Sequence, residues 1–391
     1  MSRKYPLAKP PRHKPPMERW KLDFSTPTTI HTTYIGVQRH DTTLDTLSAY
    51  RNALETIELI LKDTTSEKLT FLEGDDAPES TIWVSYSTQN NNQVDLLSLY
   101  QSLSNPKQIG LWKESFTTPT SRLETNYSGL DYLPGLARLP GTNSKITGHE
   151  LTAYWGAARD RIPNSATDLF GENEDAKLKL EKVQNQESLG RRLHGTNTAD
   201  NIVHIRSGQF WENCSQEESA AYEENLQPAL MHGLRYVWEN RTESGALGLR
   251  FLRNTDQHGH ESDHGHGLSA SSASAPSSFP RGGDHPSRAT SPPPPNIDVV
   301  GAGRKEGAKE TCASGFFRNL TDLEKWAKGH PSHHKIFNGA IQHARRFGES
   351  RKFRTWHEVS VLKAGEAEFE YLNCVRGTGV TGFLELRGVD L

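Results

Sequence analysis

The chain is short of what a membrane or secreted protein needs. No run approaches the roughly 18 apolar residues of a membrane helix, and the N-terminus lacks the apolar stretch of a secretory signal. A cytoplasmic chain with no membrane span is the expectation. Cysteine is scarce: Cys214, Cys312 and Cys374 are far apart and odd in number, which excludes a disulfide framework and a CxxC metal knuckle and suits a reducing compartment. Neither sign of charge dominates. With 45 Lys and Arg against 48 Asp and Glu the net charge is -3, which supplies no general attraction to nucleic acid. Apolar residues are themselves sparse: with tyrosine left out and glycine counted in they make up about 39% of the 391 residues, against the usual 45 to 50%. Part of the chain therefore has no core to join. Histidine, with 17 residues, is the one excess.

Two segments carry that deficit. The first sixteen residues, MSRKYPLAKPPRHKPP, hold five Lys or Arg, five prolines and no acid. Proline at that density prevents the amphipathic helix of a mitochondrial presequence. Residues 1–27 are expected to form a basic, Pro-rich extended arm, laid over a partner subunit. From Asn254 to Glu310 only 11 of 57 residues are hydrophobic, too few to offset the entropy of ordering them. A disordered, low-complexity insertion is expected at 254–310, inside a folded domain of 28–253 plus 311–391.

Within that domain the pattern is mixed. Asp45 to Asp63 places Leu47, Tyr50, Leu54, Ile57 and Leu61 on one face of an amphipathic helix. Thr81 to Ser85 and Asp200 to Ser207 read as strands. Ser215 with Glu218 forms a capping box that opens a helix through Tyr222, Leu226, Leu230 and Val237. Thr321 with Glu324 repeats that box, Pro331 interrupts, and a helix continues to about Phe347. Two strands, Thr355 to Lys363 and Glu366 to Cys374, flank Ala364-Gly365, which suits a hairpin turn. Strands among helices and hairpins predict an α+β fold.

The informative residues disagree with their faces. In Ile202-Val203-His204-Ile205-Arg206-Ser207, alternation puts Ser207 with Val203 and Ile205, aimed at a core or a cavity. In Trp356-His357-Glu358-Val359-Ser360-Val361, His357 shares a side with Val359 and Val361. On the last helix His333 leads an apolar stripe of Ile336, Phe337, Ala340 and Ala344, whereas His334 aligns with Asn338, Ile341 and Arg345. A lone imidazole on an apolar wall suits an axial ligand to haem, whose flat macrocycle needs such a wall. A satisfied core histidine is the plain alternative for both His333 and His357. The His258, His260, His264 and His266 cluster encodes no fixed metal geometry and reads as a solvated tract. Gly301, Gly303 and Gly307 have the wrong spacing for a dinucleotide loop. The glycosylation patterns at Asn213 and Asn319 fall on expected helix caps.

Four segments, taken in order, resemble a known family. Tyr154-Trp155-Gly156-Ala157-Ala158-Arg159-Asp160-Arg161, Asn201 to Gln209 (NIVHIRSGQ) with Trp211, Leu323 to Trp326 leading to His330-Pro331-Ser332-His333, and Trp356 to Ser360 are similar to the haem-containing aldoxime dehydratases, in particular the fungal phenylacetaldoxime dehydratase branch. The likeness extends from about Tyr34 to Gly379, without the insertion. It implies a dimeric α+β barrel of two ferredoxin-like halves, with one haem b in the second half, ferrous for activity. By the same resemblance His333 is the proximal ligand of the haem iron, with His330 and His334 as alternatives. His357 is then the distal catalytic residue, and Ser207 and Arg159 complete the site, with Arg161 as the alternative to Arg159. The implied reaction is dehydration of an aliphatic or aryl aldoxime to a nitrile by a homodimer. The substrate nitrogen binds ferrous haem, and His357 acts as acid and then base. Two other classes fit the same residues: a haem-binding sensor, carrier or weak peroxidase of this fold without turnover, and a non-haem interaction protein working through its Pro-rich arm or His-rich insertion.

Overall fold

The computed structural model describes residues 3–24, 26–89, 94–140, 144–171, 186–255 and 309–391. The expected insertion, with its histidine cluster and glycine motif, lies outside the described residues except at its two ends. In chain order the elements are β1 (Trp20–Phe24), β2 (Thr29–Arg39), α1 (Leu44–Leu61), β3 (Thr65–Gly74), β4 (Thr81–Ser87), α2 (Leu96–Ser102), β5 (Ile109–Pro119), β6 (Leu123–Tyr127), β7 (Ser144–Gly148), α3 (Ala157–Arg161) and β8 (Arg191–Thr196). The chain continues through β9 (Ile202–Phe210), α4 (Gln216–Ala221), α5 (Gln227–Glu239), α6 (Arg241–Ser244), β10 (Ala246–Asn254), β11 (Glu310–Phe317), α7 (Leu320–Gly329), α8 (Pro331–Phe347), β12 (Arg354–Leu362), β13 (Ala367–Leu372) and β14 (Arg387–Asp390). The fold is α+β.

These strands form one antiparallel sheet in the order β14-β8-β13-β5-β2-β4-β3-β10-β11-β9-β12-β6-β1-β7. Two blocks within it follow the same path. β2-α1-β3-β4-α2-β5 runs β-α-β-β-α-β with the fourth strand beside the first, as does β9 through β12 with α4, α5, α7 and α8 as its helices. The second strands of the two ferredoxin-like blocks, β3 and β10, pair and join them. α1 and α2 bury Ala49, Ala53, Ile57, Leu96 and Leu99 against one block, and α5 and α7 bury Leu234, Val237 and Leu320 against the other. The opposite sheet face carries a core drawn from both blocks, including Trp112, Phe316, Trp356 and Tyr371.

The two blocks also share a packing detail. Gly36 on β2 lies opposite Trp112 on β5, and Gly208 on β9 lies opposite Trp356 on β12. Each indole lies where the glycine has no side chain, and each carries a guanidinium on its face: Arg250 over Trp112 at 3.9 Å and Arg206 over Trp356 at 4.7 Å.

Local signals hold where they concern one element. α1 starts at a Thr43 cap, but its buried face centres on Ala49, Ala53 and Ile57, because small residues let the helix approach the sheet; Leu47, Tyr50 and Leu54 flank it half-buried. Ser215 caps α4 by accepting from the Glu218 N–H, while the Glu218 carboxylate accepts from Lys352 and Phe353 instead of closing the box. A π-helical turn at Tyr222–Leu226 then separates α4 from α5, where Pro228 cannot supply a ladder N–H. The expected Thr321–Glu324 box is displaced: Asn319 caps α7 by accepting from Asp322, and Glu324 pairs with Arg159.

The expected hairpin after Thr355 does not form. The chain does turn at Gly365 (φ +79°), yet β12 pairs with β9 and β6, whereas β13 pairs with β5 and β8. Asn197 sits between the two strands, donating to the Lys363 carbonyl at 2.9 Å and accepting from the Ala367 N–H at 2.9 Å, so it takes the bonds a hairpin partner would have made. The N-terminal arm also differs from expectation. Trp20–Phe24 within it is a strand paired with β7, and the residues before it lie on their own chain: Lys4 and Tyr5 donate to the Ala166 carbonyl, and Ala8 and Lys9 to Asp160.

Because a Cβ at Gly208 would fall 2.2 Å from the Trp356 ring, Gly208→Ala is expected to destabilise the protein by about 1–3 kcal/mol or more, as overpacking does. Denaturant midpoints of the two proteins measure this, and an unchanged midpoint would count against the packing described.

Candidate active site

Strand register aligns the site. Ala313, Ser207, His357 and Asn126 are cross-strand neighbours on β11, β9, β12 and β6, so their side chains rise from one face of the sheet. The next row on that face, two residues on, is Leu249, Gly315, Ile205, Val359 and Glu124. Over this face lie α5, α7 and α8, and between sheet and helices is a cavity of about 590 Å³, within the usual range of ligand sites. Its walls are largely apolar, with Leu230, Leu234, Phe317, Ile336 and Phe337 among them. Ala8, Pro16 and Met17 of the N-terminal arm close one side.

All four expected site residues, His333, His357, Ser207 and Arg159, line this one cavity. His333 enters from the first turn of α8, next to Trp326 (4.9 Å, edge-on) and Trp155 (5.8 Å). Its Nδ1 is buried without a hydrogen-bond partner. Burial holds its pKa down at about 4, against the weaker opposing pull of the Ala327 backbone carbonyl. His330 and His334 are engaged elsewhere. His330 caps α8 by accepting from the Ser332 N–H and stacks on Tyr236 at 3.5 Å, while His334 Nε2 bonds the Lys328 carbonyl at 2.7 Å.

His357 faces the cavity from β12. Its Nε2 has two partners: Arg161 Nη2 donates to it at 2.7 Å, and Glu124 Oε1 lies 3.2 Å away. Arg161 and Glu124 are joined by two parallel contacts, Nε to Oε2 at 2.6 Å and Nη2 to Oε1 at 3.0 Å, and both are buried. A third Arg161 bond, from Nη1 to the Leu151 carbonyl, completes its fork. Burial by itself would raise the Glu124 pKa; Arg161 and then His357 outweigh it and hold the carboxyl at about 2. The His357 pKa is lowered, first by burial and then by the like charges of Arg161 and Arg19, with Glu124 opposing.

The two arginines of α3 point apart, since residues two apart on a helix diverge by about 200°. Arg161 reaches β6 and β12. Arg159 turns to the rim, where Nη2 meets Glu324 at 2.7 Å and Nη1 donates to the Leu169 carbonyl. Ser207 stands directly across from His357; its carbonyl accepts from Gln209, and its hydroxyl has no hydrogen-bond partner among the described residues. Glu124 was not singled out from the sequence. The one available signal was an acid alternating with Leu123 and Thr125 in a five-residue strand, which does not tell a buried carboxylate from an exposed one.

The donor set suits haem. An uncharged imidazole is the form that ligates iron, and His333 offers one on a wall of aliphatic and aromatic side chains fit for a porphyrin face. The family model of the haem-containing dehydratases matches residues 33–380. This chain belongs to the haem-containing dehydratase family, and haem is its cofactor. Among its relatives, the phenylacetaldoxime dehydratase of Bacillus sp. (strain OxB-1) is 27% identical over 283 residues, 72% of this chain and 65% of the relative. The aliphatic aldoxime dehydratase of Pseudomonas chlororaphis is 29% identical over 273 residues, 70% of this chain and 61% of the relative. The chain thus matches somewhat under two thirds of the length of these curated relatives. A crystal structure of aldoxime dehydratase has the same fold, with a TM-score of 0.71 at 24% identity over 97% of this chain and 95% of the other.

Glu124→Gln removes the anion that favours the charged imidazole, so the His357 titration should move to lower pH by about 1 to 3 pH units. Arg161→Met removes a cation and should move it upward. Imidazole titration followed by NMR measures both, and shifts of the same sign would sink the arrangement described.

Proposed function

We propose that this protein dehydrates aldoximes to nitriles, with His333 as the axial ligand of a haem b. The observation that carries the reading is the convergence of a neutral imidazole, a second imidazole locked by Arg161 and Glu124, and a free serine hydroxyl on one apolar cavity. When bound, ferrous haem supplies a coordination position for the oxime nitrogen and electron density toward the N–O bond. Everything else falls to side chains. Loss of water from R–CH=N–OH needs one proton delivered to the leaving oxygen and one removed from carbon. His357 is placed to do both in turn, as imidazolium and then as neutral base.

The two partners of His357 Nε2 suit its two charge states. Glu124 accepts from Nε2–H when the ring carries the proton needed by a general acid, and Arg161 donates to Nε2 when the resting ring is neutral. Nδ1 makes no bond to the described residues and is left to exchange the proton with substrate. Ser207, opposite His357, holds the oxime oxygen by its hydroxyl. We assign the positioning role to Arg161 rather than Arg159, whose guanidinium is occupied by Glu324. The apolar walls select an aryl or alkyl substituent. In this reading two copies associate as a dimeric α+β barrel, as the family resemblance implies. A cytoplasmic setting agrees with three free cysteines.

Haem-loaded, reduced protein given phenylacetaldoxime without oxygen should form the nitrile, measured by chromatography; full haem loading with no nitrile would favour a sensor or carrier. His357→Ala should keep the haem spectrum and lose turnover by roughly two to four orders of magnitude. Arg161→Ala should cost far more turnover than Arg159→Ala, and the reverse order would return the role to Arg159. His333→Ala should abolish the axial-histidine spectrum, while His330→Ala and His334→Ala keep it.

A further inference from the structure

The four buried arginines among the described residues are matched to acids, whereas the half-buried Arg19 and Arg351 are not. Arg122 pairs with Glu366, Arg161 with Glu124, Arg206 with Glu67, and Arg250 with Glu114 and Asp76. Arg19 and Arg351 have no carboxylate within ion-pair distance among the described residues. Arg19, at the end of the N-terminal arm, lines the cavity; it donates from Nη1 to Thr355 Oγ1 at 3.0 Å and from Nη2 to Met17 Sδ at 3.5 Å. Its Nε is buried with no acceptor. Arg351 Nη1 approaches the same sulfur at 3.7 Å. Of the nearby acids, Glu218 takes the Lys352 and Phe353 N–H groups, Asp131 pairs with Arg354, and Glu18 and Glu349, which line the cleft beside Arg351, are not within ion-pair distance of either guanidinium.

Two unneutralised guanidiniums thus meet around Met17. Burial lowers the Arg19 pKa to about 9, with Arg351 and then Arg161 adding repulsion, and Arg351 is lowered by burial and Arg354 against the pull of Glu218. A carboxylate brought in from outside the chain would offset the repulsion between them. The location narrows its chemistry. Pro16, Met17 and Ile341 border both the main cavity and an adjoining cleft of about 460 Å³ lined by Arg345, Arg351 and Arg354. An apolar slot with His333 on its wall, Arg19 on its lining and Arg351 in the cleft that adjoins it at Met17 complements a flat macrocycle that bears two carboxylates on one edge.

We infer that Arg19 and Arg351 bind the propionate carboxylates of the haem and so fix its rotation in the cavity. The inference rests on the haem reading above. The other source of a carboxylate is the substrate, and the tests separate the two.

Full-length apoprotein is titrated with iron protoporphyrin IX and with its dimethyl ester, followed by Soret absorbance and by transfer of porphyrin to apomyoglobin. Esterification should weaken binding roughly ten- to a hundredfold, the range for charge-assisted hydrogen bonds. Arg19→Met and Arg351→Met should each weaken the diacid and leave the ester unchanged, with Arg19→Lys recovering part of the loss. Ester binding by each variant shows that it has folded. Equal affinity for diacid and ester in the unaltered protein would overturn the inference while leaving haem binding intact, as would variants that weaken both porphyrins alike. Tighter binding of a carboxylate-bearing aldoxime than of its ester, lost in Arg19→Met with the porphyrin unaffected, would assign the pair to substrate and also overturn it. If neither porphyrin binds, the haem reading itself fails.

Discussion

The ion pair of Arg161 with Glu124 is the constraint on which the site depends. Both groups are out of water, and a buried charge left without its partner costs several kcal/mol, so the pair holds one geometry. That geometry ties three elements together, α3 through Arg161, β6 through Glu124 and β12 through His357. The His357 ring is consequently oriented by groups that are themselves held, in addition to its own rotamer. The same pair places a cation and an anion on one ring nitrogen, so the imidazole can carry or lose a proton with a partner in either state.

A second buried network lies one residue away, on the other face of the same strands. Arg206 and Glu358 are cross-strand neighbours, as are Ser207 and His357, and the pleat sends the first pair away from the cavity and the second pair into it. There Arg206 meets Glu67 and Tyr86, and Tyr86 donates to Glu358 at 2.8 Å. Glu67 belongs to β3, so this network links the first block to the second, while Arg250 of β10 reaches Glu114 of β5 in the reciprocal sense. These matched charges pin the register of strands whose slip by one residue would turn Ser207 and His357 out of the site.

Several of these features were legible in the residues. The period of two in Ile202–Ser207 and Trp356–Val361 placed Ser207 and His357 on an apolar face, and the helical period placed His333 at the head of a stripe while separating it from His334. Helix α1 and the Ser215 cap could be read for the same reason, that both are local. The hairpin expected after Thr355 does not form because the turn residues are right and the partner strands are not; Asn197, far off in sequence, decides that. Glu124 was invisible because a carboxylate in a short strand shows neither its burial nor its partner. The choice between Arg159 and Arg161 was likewise open, since each offers the same chemistry and their divergence depends on α3 being helical.

By itself the sequence determined the periodicities, and with them which side chains share a face, which helices have caps and which segments are too polar for a core. Only the tertiary structure decided which faces meet. It set β3 against β10, laid the N-terminal arm over its own cavity, brought Arg161 and Glu124 to His357, and left Arg19 and Arg351 around Met17 with no ion-pair partner among the described residues. The physical reason is range: backbone periodicity is written within a few residues, whereas pairing of buried charges and strands depends on contacts between residues tens to hundreds of positions apart.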